Sequence, residues 1–156
     1  MAKSGWVLRS GGASGADMAF QKGCDLFNGK KEIYLPWDRF NGHSPEIDNS
    51  FIIAPDLNNW NKAVDFTCKY HPFPDRLSQG AFKLHSRNAY QILGIDLSLN
   101  SKTDLVICYT PLGGGSGSTG QAIRIAKSCT ILVYDLGNKK HLYDINRWLS
   151  EPVNIG

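Results

Sequence analysis

Leu105-Val106-Ile107-Cys108-Tyr109-Thr110-Pro111-Leu112-Gly113-Gly114-Gly115-Ser116-Gly117-Ser118-Thr119-Gly120 passes from an apolar run into a long glycine turn, and helical periodicity follows it. The same succession stands near the start of the chain, where Trp6-Val7-Leu8-Arg9-Ser10 leads into Gly11-Gly12-Ala13-Ser14-Gly15 and then Ala16-Asp17. Each reads as strand, glycine turn, helix. Such a turn leaves backbone N–H groups unpaired at a helix N-terminus, where the helix dipole also favours negative charge. Glycine is the default residue for any tight turn, so one such run says little. Two of them in one small domain point to a pocket for phosphate or a similarly anionic group.

Outward from these turns the pattern keeps alternating. Strands are expected over 6–9, 32–35, 104–109 and 130–134, and helices over 16–27, 57–70, 75–93, 119–127 and 141–149. In the first helix Ala16, Ala19, Phe20, Gly23 and Phe27 fall on one face at three- and four-residue steps. Asn28-Gly29 ends it, Gly94 closes the helix over 75–93, and Gly137 turns the chain into the last helix. Residues 37–57 are polar and punctuated by Gly, Pro, Asn and Asp, which reads as a long loop or lid. Alternating strands and helices imply right-handed crossovers and a mostly parallel sheet covered on both faces: an α/β, three-layer architecture in one domain over 1–156. Strands with little polar alternation agree with burial on both sides.

Composition narrows the class. An apolar fraction of 42% and a charged fraction of 20% are ordinary for a globular protein, and 156 residues suffice for a proper core. No apolar run approaches the roughly 20 residues a bilayer span needs, and the start lacks a signal core, so a cytoplasmic protein with no membrane association is expected. The cysteines (Cys24, Cys68, Cys108, Cys129) form no Cys-x-x-Cys pair and read as reduced interior thiols. The histidines (His43, His71, His85, His141) show no metal-ligand spacing, so neither a metal nor a cofactor is expected. A formal charge of +3 without a clustered basic stripe does not imply duplex nucleic acid.

In open parallel α/β sheets ligands settle beyond the carboxyl ends of the strands, and both glycine turns and the Pro36-Trp37 loop sit at such ends. Ser10, Ser14, Thr110, Ser116, Ser118 and Thr119 add hydroxyls to the backbone of Gly11, Gly12, Ala13, Gly15 and of Gly113, Gly114, Gly115, Gly117. Asp17 either accepts backbone N–H bonds and fixes its turn or meets ribose hydroxyls. Arg87 stands at the margin of a helix face formed by Ala81, Leu84, Ala89, Ile92 and Leu93; it is either a solvated helix arginine or a guanidinium that swings toward phosphate. His85 reads as a surface or core-edge residue, and Trp37 either packs or stacks on a base.

Three of these segments together resemble a known group. Leu8-Arg9-Ser10-Gly11-Gly12-Ala13-Ser14-Gly15-Ala16-Asp17 is similar to the Ser-Gly-x-Ala-x-Gly-x-Asp segment of the DprA/Smf family. His85-Ser86-Arg87-Asn88 resembles its Arg-Asn helix segment, and Ser116-Gly117-Ser118-Thr119-Gly120-Gln121-Ala122 its Ser-Gly-Ser-x-x-x-Ala turn. The same landmarks are similar to those of the Lonely Guy phosphoribohydrolases, both groups belonging to the SLOG superfamily. Short DprA-like proteins of bacteriophages and bacteria, with Tyr-Leu-Pro-Trp and Leu-His-x-Arg-Asn segments, resemble the chain most. The resemblance implies a Rossmann-like fold, a ligand contact for Asn88 as well as Arg87 and His85, and a homodimer. Members usually carry a further strand–helix unit ahead of the matched region, whereas here residues 1–4 precede it, so the sheet is expected one strand short or completed differently. The Lonely Guy enzymes place a glutamate after the glycine turn; here Gln121 stands nearest and cannot act as a general base.

Three functions follow as expectations. The leading one is binding of a nucleotide or nucleotide-derived small molecule, with the two turns and Arg87 on phosphate, as in a phage-type protein that sequesters a signalling nucleotide. The second is a nucleoside-monophosphate N-glycosidase, for which Asp17 and Glu46 are the available carboxylates. The third is a single-stranded DNA binder using Lys22, Lys30, Lys31, Lys83 and Arg124.

Overall fold

The computed structural model describes residues 1–150; residues 151–156, which the sequence places in the same domain, lie outside them. Strands β1 (Leu8–Ser10), β2 (Lys31–Leu35), β3 (Phe51–Ile53), β4 (Leu105–Cys108) and β5 (Leu132–Asp135) alternate with helices α1 (Ala16–Asp25), α2 (Trp60–Tyr70), α3 (Gln79–Leu93), α4 (Gly117–Ser128) and α5 (Lys139–Ser150). Every strand pairing is parallel, as a Rossmann-like α/β fold requires. Helices α2, α3 and α4 pack against one another over the sheets, while α1 packs on β1 and α5 on β5. The right-handed crossover rule places α1 on the face opposite α3 and α4.

The ladder is interrupted at its centre. Strands run in the order β1-β2-β3 in one sheet and β4-β5 in another, with no ladder between β1 and β4. A cavity of about 1030 Å³ separates them, lined by Val7 to Ser10 from one side and Leu105 to Tyr109 from the other. The open centre has a consequence for α1. The apolar face read from the sequence exists, but Ala16, Ala19, Phe20, Gly23 and Phe27 line this cavity instead of closing a core, and Cys24 is the buried residue of the helix.

Two further elements differ from the sequence reading. The segment 37–57 is not all loop: Phe51-Ile52-Ile53 adds β3 to the edge of β2, because Phe51 can bury itself beside Ile33 and Leu35. Helix α3 starts at Gln79 rather than at 75, since Pro74–Arg76 forms a 3-10 turn and the Ser78 hydroxyl then caps the helix, accepting the Ala81 N–H at 3.3 Å.

The main core lies between β2, α2, α3 and α4. Tyr34 of β2 stacks on Tyr90 of α3 with ring centroids 5.3 Å apart, and Trp60 continues the stack from α2. Ala63, Ala89, Ile92, Leu93, Ile125 and Ala126 fill the space around it, each large side chain worth roughly 1.5–3 kcal/mol of burial. Both tyrosines keep partners for their hydroxyls: Tyr34 donates to Glu32 at 3.0 Å and Tyr90 to Oδ1 of the Asn59 side chain at 2.8 Å. Burial, with the nearby Glu32 charge, pushes the Tyr34 phenol far above its usual range, so it stays a donor at any ordinary pH. Replacing Tyr90 with phenylalanine keeps the stack but orphans Oδ1 of Asn59. Urea unfolding of Tyr90→Phe is expected to show a loss of about 1 kcal/mol; an unchanged midpoint contradicts this account of the core.

Candidate functional site

The carboxyl ends of β1 and β4 meet at one end of the central cavity. Ser10, Ala13, Ser14, Gly15, Ala16 and Asp17 reach it from the first turn, Ser118 and Thr119 from the second, and Arg87 and Asn88 from α3. The flanks of the two turns thus border the same space, whereas Gly11 and Gly12 of the first turn and Gly113, Gly114, Gly115, Ser116 and Gly117 of the second do not line it.

The first turn is organised by Asp17. One of its carboxylate oxygens accepts the N–H groups of Gly11 and Ala13, both at 3.2 Å, so the turn-fixing role is the one its geometry displays. Those two amides are thereby engaged. The same oxygen lies 3.8 Å from the Arg87 guanidinium. Helix α1 begins at Gly15 without a side-chain cap.

Arg87 is not a solvated helix residue. It is 4% exposed, and its guanidinium lies against the backbone of the first turn. A Cβ at residue 11 would stand 0.9 Å from Nη1 of Arg87, so only glycine lets the arginine in. Nη1 donates to the Gln91 carbonyl at 3.0 Å, while Nε has no partner. Burial presses the arginine's pKa downward and the Asp17 charge opposes it; an arginine so placed stays charged. Ser10 is 3% exposed at the end of β1, and its hydroxyl also lacks a partner. An unsatisfied buried donor costs about 1–3 kcal/mol, and here two residues that line one cavity hold one each.

The second turn is held by a residue the sequence reading did not single out. Asp135, at the end of β5, accepts the Thr110 N–H at 2.8 Å, the Thr110 hydroxyl, and the Gly137 N–H at 3.1 Å. Thr110 passes the restraint on, since its hydroxyl oxygen accepts the Gly115 N–H at 2.9 Å. Gly113 and Gly114 donate back to Thr110 and Pro111 within the turn. Gly120 needs to be glycine for packing, because a Cβ there would meet the Gly115 carbonyl at 1.9 Å. Helix α4 begins after Ser116, whose side chain makes no capping bond, so the N–H groups of Gly117, Ser118 and Thr119 open its first turn. The signal for Asp135 was readable: an acid at the carboxyl end of the strand beside the one that carries the turn.

His85 and Gln121 are in neither turn's mouth. Gln121 is fully buried, its carbonyl accepting Asn88 at 3.0 Å and facing the His85 ring at 3.2 Å, its amide donating to Thr67 at 3.2 Å. Burial keeps the His85 pKa below its usual value despite the Gln121 contact, so the imidazole is neutral at pH 7. Asn88 spans the two regions, donating also to the Ser118 carbonyl at 3.1 Å. Trp37 lies elsewhere: it packs edge-on against Phe40, 5.1 Å away, and over the start of α3 at Gly80. No residue of 37–57 lines the cavity, although Asn41 donates to the Gly12 carbonyl at 2.9 Å and so braces the first turn from behind. Among the described residues, no group of three His, Cys, Asp or Glu could hold a metal ion, and no helix is long and apolar enough to cross a membrane.

Asp135 yields a measurable consequence. Burial raises the pKa of its carboxyl, but the Thr110 hydroxyl and amide and the Gly137 amide outweigh it and hold the group below the usual carboxylate value. A folded pKa below the unfolded one stabilises above the unfolded value, and the gain disappears as pH falls through the folded pKa. Asp135→Asn is therefore expected to lose about 2 kcal/mol at pH 7 by urea unfolding, and its gap from the parent protein to narrow below about pH 4. A constant gap across that range rejects the assignment. Compared with family models, with curated proteins and with solved structures, the chain matches none.

Proposed function

We propose that this protein binds the phosphate of a nucleotide or nucleotide-derived small molecule at the rim where the two glycine turns meet. The observation that carries the reading is that Arg87 and Ser10, each holding a buried donor without a partner, line the cavity where Ser14 to Asp17 and the Ser118–Thr119 start of α4 border it. The uncapped start of α4 adds amides and the positive end of a helix dipole. Asp17 complements this at one side: its second carboxylate oxygen suits a sugar hydroxyl, and its charge would repel phosphate, so phosphate belongs nearer α4.

The site's chemistry supports binding over turnover. A hydrolase needs a carboxylate free to act, and Asp17 has one oxygen engaged by two amides beside an arginine. Glu46 is exposed, pairs with Arg39 and does not line the cavity, and Gln121 is enclosed in its own network. Nor do Lys22, Lys30, Lys31, Lys83 or Arg124 line it; Lys31 is paired with Asp25 and Asp48, and Arg124 donates to the Tyr70 carbonyl. That leaves single-stranded DNA without a basic track here. A sequestering role, a homodimer and a cytoplasmic setting belong to the same reading.

Calorimetry and thermal unfolding with mono-, di- and cyclic nucleotides and ADP-ribose derivatives test it. At about 100 times its Kd a ligand adds roughly 2.7 kcal/mol of stability. Ser10→Ala separates structure from binding: removal of an unpaired buried hydroxyl leaves the free protein as stable or more so, by up to about 1 kcal/mol, while affinity falls. Gly11→Ala, which displaces the guanidinium, is expected to weaken binding by roughly tenfold to a hundredfold. Absence of heat or stabilisation with every compound defeats the proposal.

A further inference from the structure

The central cavity continues well below the anion site. From the rim it follows β1 and β4 down to their amino ends, where Met1, Ala2, Val7, Lys102 and Asp104 line it. At about 1030 Å³ it sits at the upper limit of small-molecule pockets, and its length follows the strands rather than any compact ligand.

Its walls are two strand edges. Leu8 donates to the Lys30 carbonyl, and the Cys108 carbonyl accepts from Leu136, so these residues turn their backbone groups toward their paired neighbours. Backbone groups alternate sides along a strand, and therefore Arg9 of β1 and Leu105 and Ile107 of β4 turn theirs toward the cavity. Exposed edges of this kind are ordinarily blunted by charge, proline or a covering segment. Here the two edges face each other across one cleft. The remaining walls differ: Ala16, Ala19, Phe20, Gly23 and Phe27 of α1 form an apolar stripe on one side, while the α3 side combines Ile92 and Gln91 with the Arg9–Glu32 ion pair. Val7, Phe27 and Tyr109 stay exposed along it.

We propose that this groove receives an extended β-strand from a partner polypeptide, apolar on the face toward α1 and mixed on the face toward α3, which pairs with β1 and β4 at once and joins the two sheets in the order β3-β2-β1-strand-β4-β5. Only another backbone carries alternating donors and acceptors on both of its sides at strand spacing, and it would extend the β1–β2 and β4–β5 ladders from their open edges. Apolar side chains on one face cover the α1 stripe, and the other face meets Ile92 beside the Arg9–Glu32 pair and Gln91. A second copy is poorly suited, because its own β1 and β4 edges are recessed in the same cleft.

Amide hydrogen exchange tests this with a synthetic peptide, Lys-Thr-Val-Ile-Val-Thr-Val-Lys, as the probe. The groove-facing amides of Arg9, Leu105 and Ile107 are expected to slow about tenfold or more when it binds, while those of Val106 and Cys108, already paired, change less. Gly23→Trp fills the groove from α1 at a site where a Cβ meets nothing within 4 Å, far from the rim. That variant is expected to fold, to lose the peptide's protection and to keep nucleotide binding, so the two proposals fail separately. Protection of the same amides without peptide as protein concentration rises would assign the groove to a second copy and overturn the proposal. So would peptide binding that leaves these amides unprotected, or that persists in Gly23→Trp.

Discussion

A guanidinium occupies the space where residue 11 would otherwise carry a side chain, and much of the site's geometry depends on that intrusion. Arg87 reaches the position from α3 because Gly11 lacks a Cβ and because Ser10, at the end of β1, is small. Once there it is shielded from water with incomplete compensation: Gln91 takes one donor, Asp17 stands 3.8 Å off, and Nε has no partner. Burying a charge this incompletely paired opposes folding. The surrounding core, above all the Tyr34–Tyr90–Trp60 stack, supplies stability that offsets it.

Helix α3 is the part that carries both turns. Its neighbours in sequence, Arg87 and Asn88, serve different halves of the molecule: Arg87 lies beneath the first turn, and Asn88 donates to Ser118 and Gln121 of the second. Because no ladder links β1 to β4, the separation of the two turns is fixed through this helix. That explains why an otherwise amphipathic segment has His85, Ser86, Arg87 and Asn88 all buried. They form a polar seam between two apolar half-cores, in which His85, Ser86 and Asn88 find partners on α2 and α4 while Arg87 keeps one donor unpaired.

Much of this was legible in the sequence, and the limits have physical causes. Two strand–glycine–helix successions located the rim, since glycine, helix starts and strand ends obey local rules. Asp17 and Arg87 were visible as candidates, but the choice between their roles depended on neighbours far along the chain: Arg87 looks solvated until Gly11 is placed over it. Asp135 was missed because its partner Thr110 is 25 residues away, so its role shows only once the two strand ends are placed side by side. Strand β3 was missed because three residues, Phe51–Ile53, are too few for periodicity to register. The α1 stripe was read correctly as apolar, yet sequence periodicity cannot say what covers a face.

That last point links the two halves of the structure. A helix stripe of small and apolar residues, two strand edges turned toward each other, and a polar seam ending in unpartnered donors all lie on one cavity. A groove with an apolar wall favours exclusion of water, whereas the proposed anion site needs fixed dipoles and charge; placed end to end the two would reinforce each other. Lower local dielectric strengthens the field that Arg87 and the α4 amides present at the rim. A strand seated along β1 and β4 would therefore act on the proposed anion site by drying the space beneath it and by locking the distance that α3 and the Arg9–Ser101 hydrogen bond otherwise set.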